Sequence, residues 1–128
     1  MKRIVVICCL LAIVVCLCGC DPYAGKRPPD YPRSRWICNE PHIEIIVKER
    51  GVCTTTLGTG EEKREISMEF SYGAGIRAYW EDTNVYSADN VLFTGDCTFL
   101  KTGFIVRIKK DNLWNGAYEE LVFYRVPE

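Results

Sequence analysis

Apolar and polar positions alternate along most of the chain after Trp36. The pattern is clearest at 65–72, where apolar residues hold one parity and polar residues the other: Ile66, Met68, Phe70 and Tyr72 against Glu65, Ser67, Glu69 and Ser71. A period of two is typical of a β-strand with one buried face. The same pattern predicts strands near 43–47, 52–57, 76–81, 91–100, 104–109 and 121–126, and a short piece at 85–87. In the last strand apolar residues occur at both odd and even positions, so the sequence does not decide which side of that strand is buried.

Tight turns rich in glycine separate these strands, and no stretch after residue 20 has a helical period. Gly95, inside a long strand, indicates a bulge or bend. Seven or eight short strands in sequence predict an antiparallel meander that closes or folds over to hide its edges. The predicted fold class is all-β: a small antiparallel β-barrel or a strongly curved β-sandwich, with the last strand paired to an early one. Apart from the N-terminal segment described next, the only helix expected is a turn near 112–116.

The first twenty residues follow a different pattern. Lys2 and Arg3 precede an apolar run of 15 residues, Ile4 to Cys18. As a helix it would be roughly 22 Å long at about 1.5 Å per residue, short for a hydrocarbon core of about 30 Å. A basic start and a short apolar run indicate the helix of a secretory signal peptide.

Leu17-Cys18-Gly19-Cys20 resembles a bacterial lipobox, in which an aliphatic residue and two small residues precede the cysteine that becomes lipidated. The resemblance implies a lipoprotein signal peptide over 1–19 and a diacylglyceryl lipid on Cys20. Two acyl chains hold a protein firmly, since each buried methylene contributes about 0.8 kcal/mol. We therefore expect anchoring at the extracytoplasmic face of the cell membrane. A cleaved signal without lipid and an uncleaved anchor are the alternatives.

Beyond the anchor we predict two regions. Residues 20–34 hold four of the six prolines and are predicted to be a semi-stiff tether. Residues 35–128 are predicted to be the β domain, and all 15 aromatic residues lie after Cys20. Without residues 1–19 the chain has 14 Lys and Arg against 17 Asp and Glu, a formal charge of −3, which argues against nucleic acid as a partner.

Removal of the signal would leave three thiols besides Cys20: Cys38, Cys53 and Cys97. They are the disulfide candidates, with one bond among three possible pairs; three free thiols are the alternative. A Cys₃His zinc site would need all three thiols and His42, and no CxxC pair supports it. We predict no metal and no cofactor.

The aromatic residues offer the strongest candidate site. Trp114, Tyr118 and Tyr79 are predicted to surround the open end of a barrel, where they would suit a small apolar or sugar-like ligand. The alternative is that Trp114 plugs the barrel end. No set of residues indicates a nucleophile with its base and oxyanion donors, so we expect no enzymatic activity.

Three further motifs carry a resemblance: Trp36-x₄-Pro41, Leu92-Phe93-Thr94-Gly95-x-Cys97-x-Phe99 and Val122-Phe123-x-Arg125. Together they resemble a group of small lipoproteins of unknown function from gut-type Gram-positive bacteria, which implies a compact lipocalin-like β domain. The expected function is a non-enzymatic domain that binds a ligand or an envelope protein. An envelope accessory protein or a protein inhibitor, similar to the small barrels that inhibit lysozyme, is the alternative, and an envelope-acting hydrolase is more remote.

Overall fold

The computed structural model describes residues 23–71, 73–81 and 90–127. Eight strands in these ranges form a closed antiparallel barrel, in which each strand pairs with its neighbours in sequence and β8 pairs with β1. The strands are β1 (Arg35–Cys38), β2 (Ile43–Val47), β3 (Cys53–Leu57), β4 (Arg64–Phe70), β5 (Gly75–Trp80), β6 (Val91–Phe99), β7 (Gly103–Asp111) and β8 (Glu120–Arg125). The 3₁₀ turns that lie wholly within the same ranges are Pro28–Asp30 and Gly60–Glu62, and no helix in these ranges is long and apolar enough to cross a bilayer.

The predicted all-β fold is confirmed, and its architecture is the barrel rather than the sandwich. The bulge predicted at Gly95 is also present, as a register shift between Thr94 and Gly95. A Cβ atom on Gly95 would lie 2.5 Å from the carbonyl oxygen of Arg107, so this close approach requires glycine. Residues 112–116 form turns and bends without a helix. The predicted helix of 1–19 and the piece at 85–87 lie outside the described residues.

The strand order gives the barrel two different ends. The chain enters β1 at the proximal end, where the β2–β3, β4–β5 and β6–β7 connections also lie and where β8 finishes. The distal end carries the β1–β2, β3–β4, β5–β6 and β7–β8 connections. Because all neighbours are antiparallel, residues far apart in sequence share an end.

Inward-facing side chains fill the barrel around Phe104. Its ring stacks on Phe123 with 4.5 Å between ring centres, and it meets Trp36 and Phe70 edge-on, each at 5.6 Å. Phe93, Phe104 and Phe123 are at most 1% exposed. Each such ring buries a large apolar area, and each aromatic pair contributes about 0.5–1.5 kcal/mol beyond that area. The centre of the barrel is therefore packed core.

The segment Tyr23–Ser34 differs from the tether predicted for it, because it packs over the proximal end. Pro28 and Ser34 are buried, and Tyr31 meets the ring of Trp36 edge-on at 5.9 Å. Arg27 donates to the carbonyl oxygens of Phe70 (3.0 Å) and Ser71 (2.8 Å). The prolines predicted an extended segment that stands off the barrel, but the ring of Tyr31 contacts Trp36 and the guanidinium group of Arg27 donates to the end of β4. This segment therefore packs on the barrel.

The segment covers a gap in the sheet. Pairing between β3 and β4 stops at Thr55 and Ile66, so no β3 residue is registered with the last four residues of β4 in the described chain. Arg27 donates to carbonyl groups at the end of that stretch, and a Cβ atom on Gly51 would lie 2.5 Å from the carbonyl oxygen of Pro29. The Pro28–Asp30 turn therefore lies against the β2–β3 connection, beside the end of β4.

Candidate functional site

The predicted aromatic mouth is a plug at the distal end. Trp114 lies 5.2 Å from the ring of Phe93, inside the barrel, and its other neighbour is Tyr118 at 5.5 Å. The structure therefore brings Trp114 and Tyr118 together, in the arrangement of the plug alternative. Asp111 holds the loop, since its carboxylate accepts the backbone N–H groups of Leu113 and Trp114, each at 2.8 Å.

Tyr79 lies elsewhere. It occupies an outward position of β5, and its hydroxyl group donates to the carboxylate of Glu69 on β4. Burial, and then the hydrogen bond to Glu69, raise the pKa of Tyr79 above its ordinary value. Because its hydroxyl is directed to the outer surface of β4, Tyr79 does not join Trp114 and Tyr118 in one site.

The three thiols are free and sit in different strands. Burial raises the pKa of Cys38, of Cys53 to about 11 and of Cys97 to about 12, with further contributions from Asp30 at Cys53 and Asp96 at Cys97. Thiols with raised pKa values are weak nucleophiles and weak metal ligands. Nor does any group of three or more His, Cys, Asp or Glu side chains in the described ranges have the placement to hold a metal ion.

A groove of about 830 Å³ runs over the proximal rim. Pro29, Gly51 and Cys53 line one side, and Asp96 and Lys109 line the other, with the β4–β5 hairpin between them. Asp96 and Lys109 form an exposed ion pair at 2.9 Å, a kind of pair that contributes little to stability. The groove is open to solvent, and the pKa of Cys53, the thiol that lines it, is raised to about 11.

The outer wall of the barrel carries a feature that is more informative. Each of four neighbouring strands, β2, β1, β8 and β7, carries an apolar outward residue beside charged ones; we call Ile37, Ile46, Ile105, Val122 and Tyr124 the outer apolar face. Ile37 is registered with Tyr124, and Ile105 with Val122. Tyr124 is 56% exposed and Ile46 42%. The face thus crosses the seam where β8 closes the barrel on β1.

The other half of the wall follows the usual rule. Outward positions of β3 to β6 are mostly polar or charged: Thr54, Thr56, Glu65, Ser67, Glu69, Arg77, Thr94, Asp96 and Thr98. An antiparallel sheet with one solvated side normally alternates in this way. The apolar half is therefore a departure specific to four strands. The sequence signal for this surface was residues 121–126, where apolar side chains occur at both the inward and the outward positions of the strand; the outward ones belong to the outer apolar face.

Both signs of charge border the outer apolar face. Arg35 and Glu44 form an ion pair at 2.7 Å on the β1–β2 side. Arg107 and Glu120 are registered with each other on the β7–β8 side, and both are exposed. An apolar centre with a polar rim of mixed sign is the usual anatomy of a protein–protein interface.

No protein-family model, no curated protein and no solved structure matches this chain. The function must therefore be inferred from the chain's own residues.

Proposed function

We propose that the chain is a membrane-anchored extracytoplasmic lipoprotein whose barrel is a non-enzymatic binding domain for another envelope protein. The outer apolar face is the binding surface. The observation that carries this proposal is the contrast between a barrel interior packed with side chains and a wall that exposes apolar side chains on each of four adjacent strands. A filled interior favours binding at the outside over binding within.

The anchor half of the proposal is supported by the sequence of residues 1–20, which lies outside the described residues. Cleavage before Cys20 and attachment of a diacylglyceryl lipid would place the barrel at the membrane surface. We expect Cys20→Ala to release the chain from the membrane fraction of cells, because the variant cannot carry the lipid. A variant that stays fully in the membrane fraction contradicts lipid anchoring.

The partner is a protein rather than a lipid surface, because the rim of the face is balanced in charge. A rim with Arg35, Glu44, Arg107 and Glu120 has no net charge and no preference for anionic headgroups. The strands of the face lie about 4.8 Å apart, so four of them span roughly 14 Å. A face only that wide would bury less than the roughly 800 Å² per partner of a standard interface, so we expect a transient complex.

Site-specific cross-linking tests the binding half. A photoreactive residue at position 124 should give a discrete adduct with one envelope protein, and Ile46→Glu should reduce its yield at least about tenfold by placing a charge in the apolar contact. Arg77, an exposed outward residue of β5 on the opposite side of the barrel, is the control position and should give no adduct. An adduct with a cell-wall hydrolase would favour the inhibitor alternative. Equal labelling at 77 and 124, or no adduct at 124, would overturn the proposal.

A further inference from the structure

The two ends of the barrel carry opposite charge. We count the residues of each end as its connections and the strand residues that border them, with Tyr23–Ser34 at the proximal end. Among the described residues the proximal end has eight basic and two acidic side chains, a formal charge of +6. The distal end has two basic and seven acidic ones, a formal charge of −5. A net charge of −3 for the chain without residues 1–19 hides this separation.

The basic residues of the proximal end come from four separate parts of the chain. Half of them belong to the N-terminal segment and the start of β1: Lys26, Arg27, Arg33 and Arg35. The other half come from two connections and the end of β8: Lys48, Arg50, Lys101 and Arg125. Only the closed up-and-down order brings these sets to one end. Such an end is attracted to an anionic surface, while the acidic end is repelled from it.

A pocket of about 520 Å³ lies in this basic end, between the N-terminal segment and the end of β8. Tyr23, Tyr31, Arg33 and Arg125 line it. The guanidinium group of Arg125 lies 4.9 Å from the ring centre of Tyr31 and donates to its hydroxyl group, so Arg125 is held in place. Neither acidic residue of the proximal end, Asp30 or Glu49, lines the pocket. Guanidinium groups are the side chains best suited to phosphate oxygens.

Arg33 has an unusual backbone. Its φ angle is 58°, in the left-handed region where glycine or asparagine is the favourable residue. The flanking contacts hold this turn, since the Ser34 hydroxyl donates to the carbonyl oxygen of Tyr31 at 2.6 Å and accepts from the Trp36 indole at 2.9 Å. The turn thereby directs an exposed basic residue to the pocket.

We propose that the proximal end docks on anionic phospholipid headgroups and that the pocket between Tyr31, Arg33 and Arg125 receives a headgroup phosphate. The proposed anchor would hold the proximal end close to the bilayer, because Tyr23 is three residues from Cys20 and three residues span at most about 11 Å. In this one respect the inference rests on the proposed anchor. The chain would then be fixed in orientation as well as in place, with its acidic distal end away from the bilayer.

Hydrogen exchange of the full-length chain in vesicles tests the inference. Vesicles of phosphatidylcholine alone are compared with vesicles that also contain phosphatidylglycerol. Amides of 23–35 and 100–103 should exchange several-fold more slowly with phosphatidylglycerol, and high salt should remove the difference because it screens the charges. Amides of 58–64 and 112–119, at the distal end, should not change. Equal exchange in both vesicles, or protection of the distal end, would overturn the inference.

Arg33→Asn removes one charge without a cost to the fold, because asparagine tolerates a positive φ. It should weaken the protection about five-fold, the effect of one basic residue near an anionic surface. Lys63→Gln, the same loss of charge at the distal end, should have no effect. If Arg33→Asn behaves like Lys63→Gln, the pocket is not the site.

Two further arms separate the sources of the effect. Glycerol phosphate added to phosphatidylcholine vesicles should not protect the proximal amides; if it does, the pocket binds a free phosphate ester and not a bilayer. The vesicles need only hold the chain, through a lipid on Cys20 or through residues 4–18. Failure of lipid anchoring in Cys20→Ala and failure of headgroup protection are therefore separate results.

Discussion

One carboxylate, that of Asp111, is predicted to hold the plug at the distal end. Asp111 ends β7, and its oxygens accept three backbone N–H groups of the following turn: Leu113 and Trp114 at Oδ1 and Gly116 at Oδ2, each at 2.8 Å. Replacement by alanine removes all three acceptors at once. Trp114 would then lose the turn that places its ring on Phe93.

The size of the effect follows from the exposure of the group. A carboxylate that caps backbone N–H groups is worth about 0.5–2 kcal/mol, and bonds to charged groups lie at the upper end of the usual range. Asp111 is only partly buried, so water recovers part of the loss. We expect Asp111→Ala to lower the free energy of unfolding by about 2 kcal/mol. Asp111→Asn keeps an acceptor at Oδ1 but no charge, so we expect a loss of about 1 kcal/mol.

The effect should also depend on pH. Desolvation alone would raise the pKa of Asp111, but the N–H groups of Trp114, Gly116 and Leu113 together hold this pKa below its ordinary value of 3.8. A lowered pKa stabilises the folded chain above the pKa of the unfolded state, and that stability is lost as pH falls through the folded pKa. The difference between the native chain and Asp111→Ala should therefore be full at pH 7 and shrink below about pH 4.

Urea unfolding followed by tryptophan fluorescence measures both differences. Asp96→Ala is the matched control, because Asp96 pairs only across the exposed surface with Lys109 and its loss should cost under about 0.5 kcal/mol. The reasoning is refuted if Asp111→Ala is as stable as Asp96→Ala, or if the difference from the native chain is the same at pH 7 and pH 3.

Two more predictions concern the barrel wall. Gly103→Ala should cost about 2–3 kcal/mol in urea unfolding, because its Cβ atom would overlap the carbonyl oxygen of Phe123. Gly73→Ala, with Ser71 Oγ at 4.0 Å as its nearest contact, should be nearly neutral, and equal losses would contradict the close packing of β7 on β8. In alkylation at pH 8, Cys97 should react more slowly than Cys53, since burial raises their pKa values to about 12 and about 11, and unfolding should accelerate both; a native Cys97 that reacts as fast as in urea would show that the thiol is not buried. The thiols should change the free energy of unfolding with pH in the opposite direction to Asp111. Unfolded thiols ionise near pH 9 and folded ones do not, so stability should fall above that pH.

Alternation predicted most of the sheet because it reports which side of a strand is buried. The strand around Ile66–Phe70 and the bulge at Gly95 were both readable in this way. β1 was not, because its four residues, Arg35–Cys38, are too few for a period of two to be recognised. The packing of Tyr23–Ser34 was missed for another reason: proline content predicts extension, but contacts with the barrel depend on the gap between β3 and β4.

The arrangement of the candidate site residues could not be predicted from the local sequence pattern. The fold brings Trp114 and Tyr118 together at one barrel end, with Trp114 packed against Phe93, whereas Tyr79 donates to Glu69 on the outer wall. The outer apolar face depends on register, because Ile37 and Tyr124 are 87 positions apart in the sequence and become partners only when β8 closes on β1. Separation of charge between the two ends is likewise a property of strand order.

The two proposed surfaces are geometrically consistent with each other. The basic residues lie at the proximal end, whereas the outer apolar face lies on the wall, across β2, β1, β8 and β7. If the proximal end rests on anionic headgroups, the barrel wall stands away from the plane of the membrane and the outer apolar face is directed sideways. A partner held in the same membrane would meet that face without leaving the surface, and confinement to a surface raises the effective concentration of both proteins. A small, transient contact of the width estimated above is then sufficient, whereas the same contact between proteins free in solution would be sparsely populated.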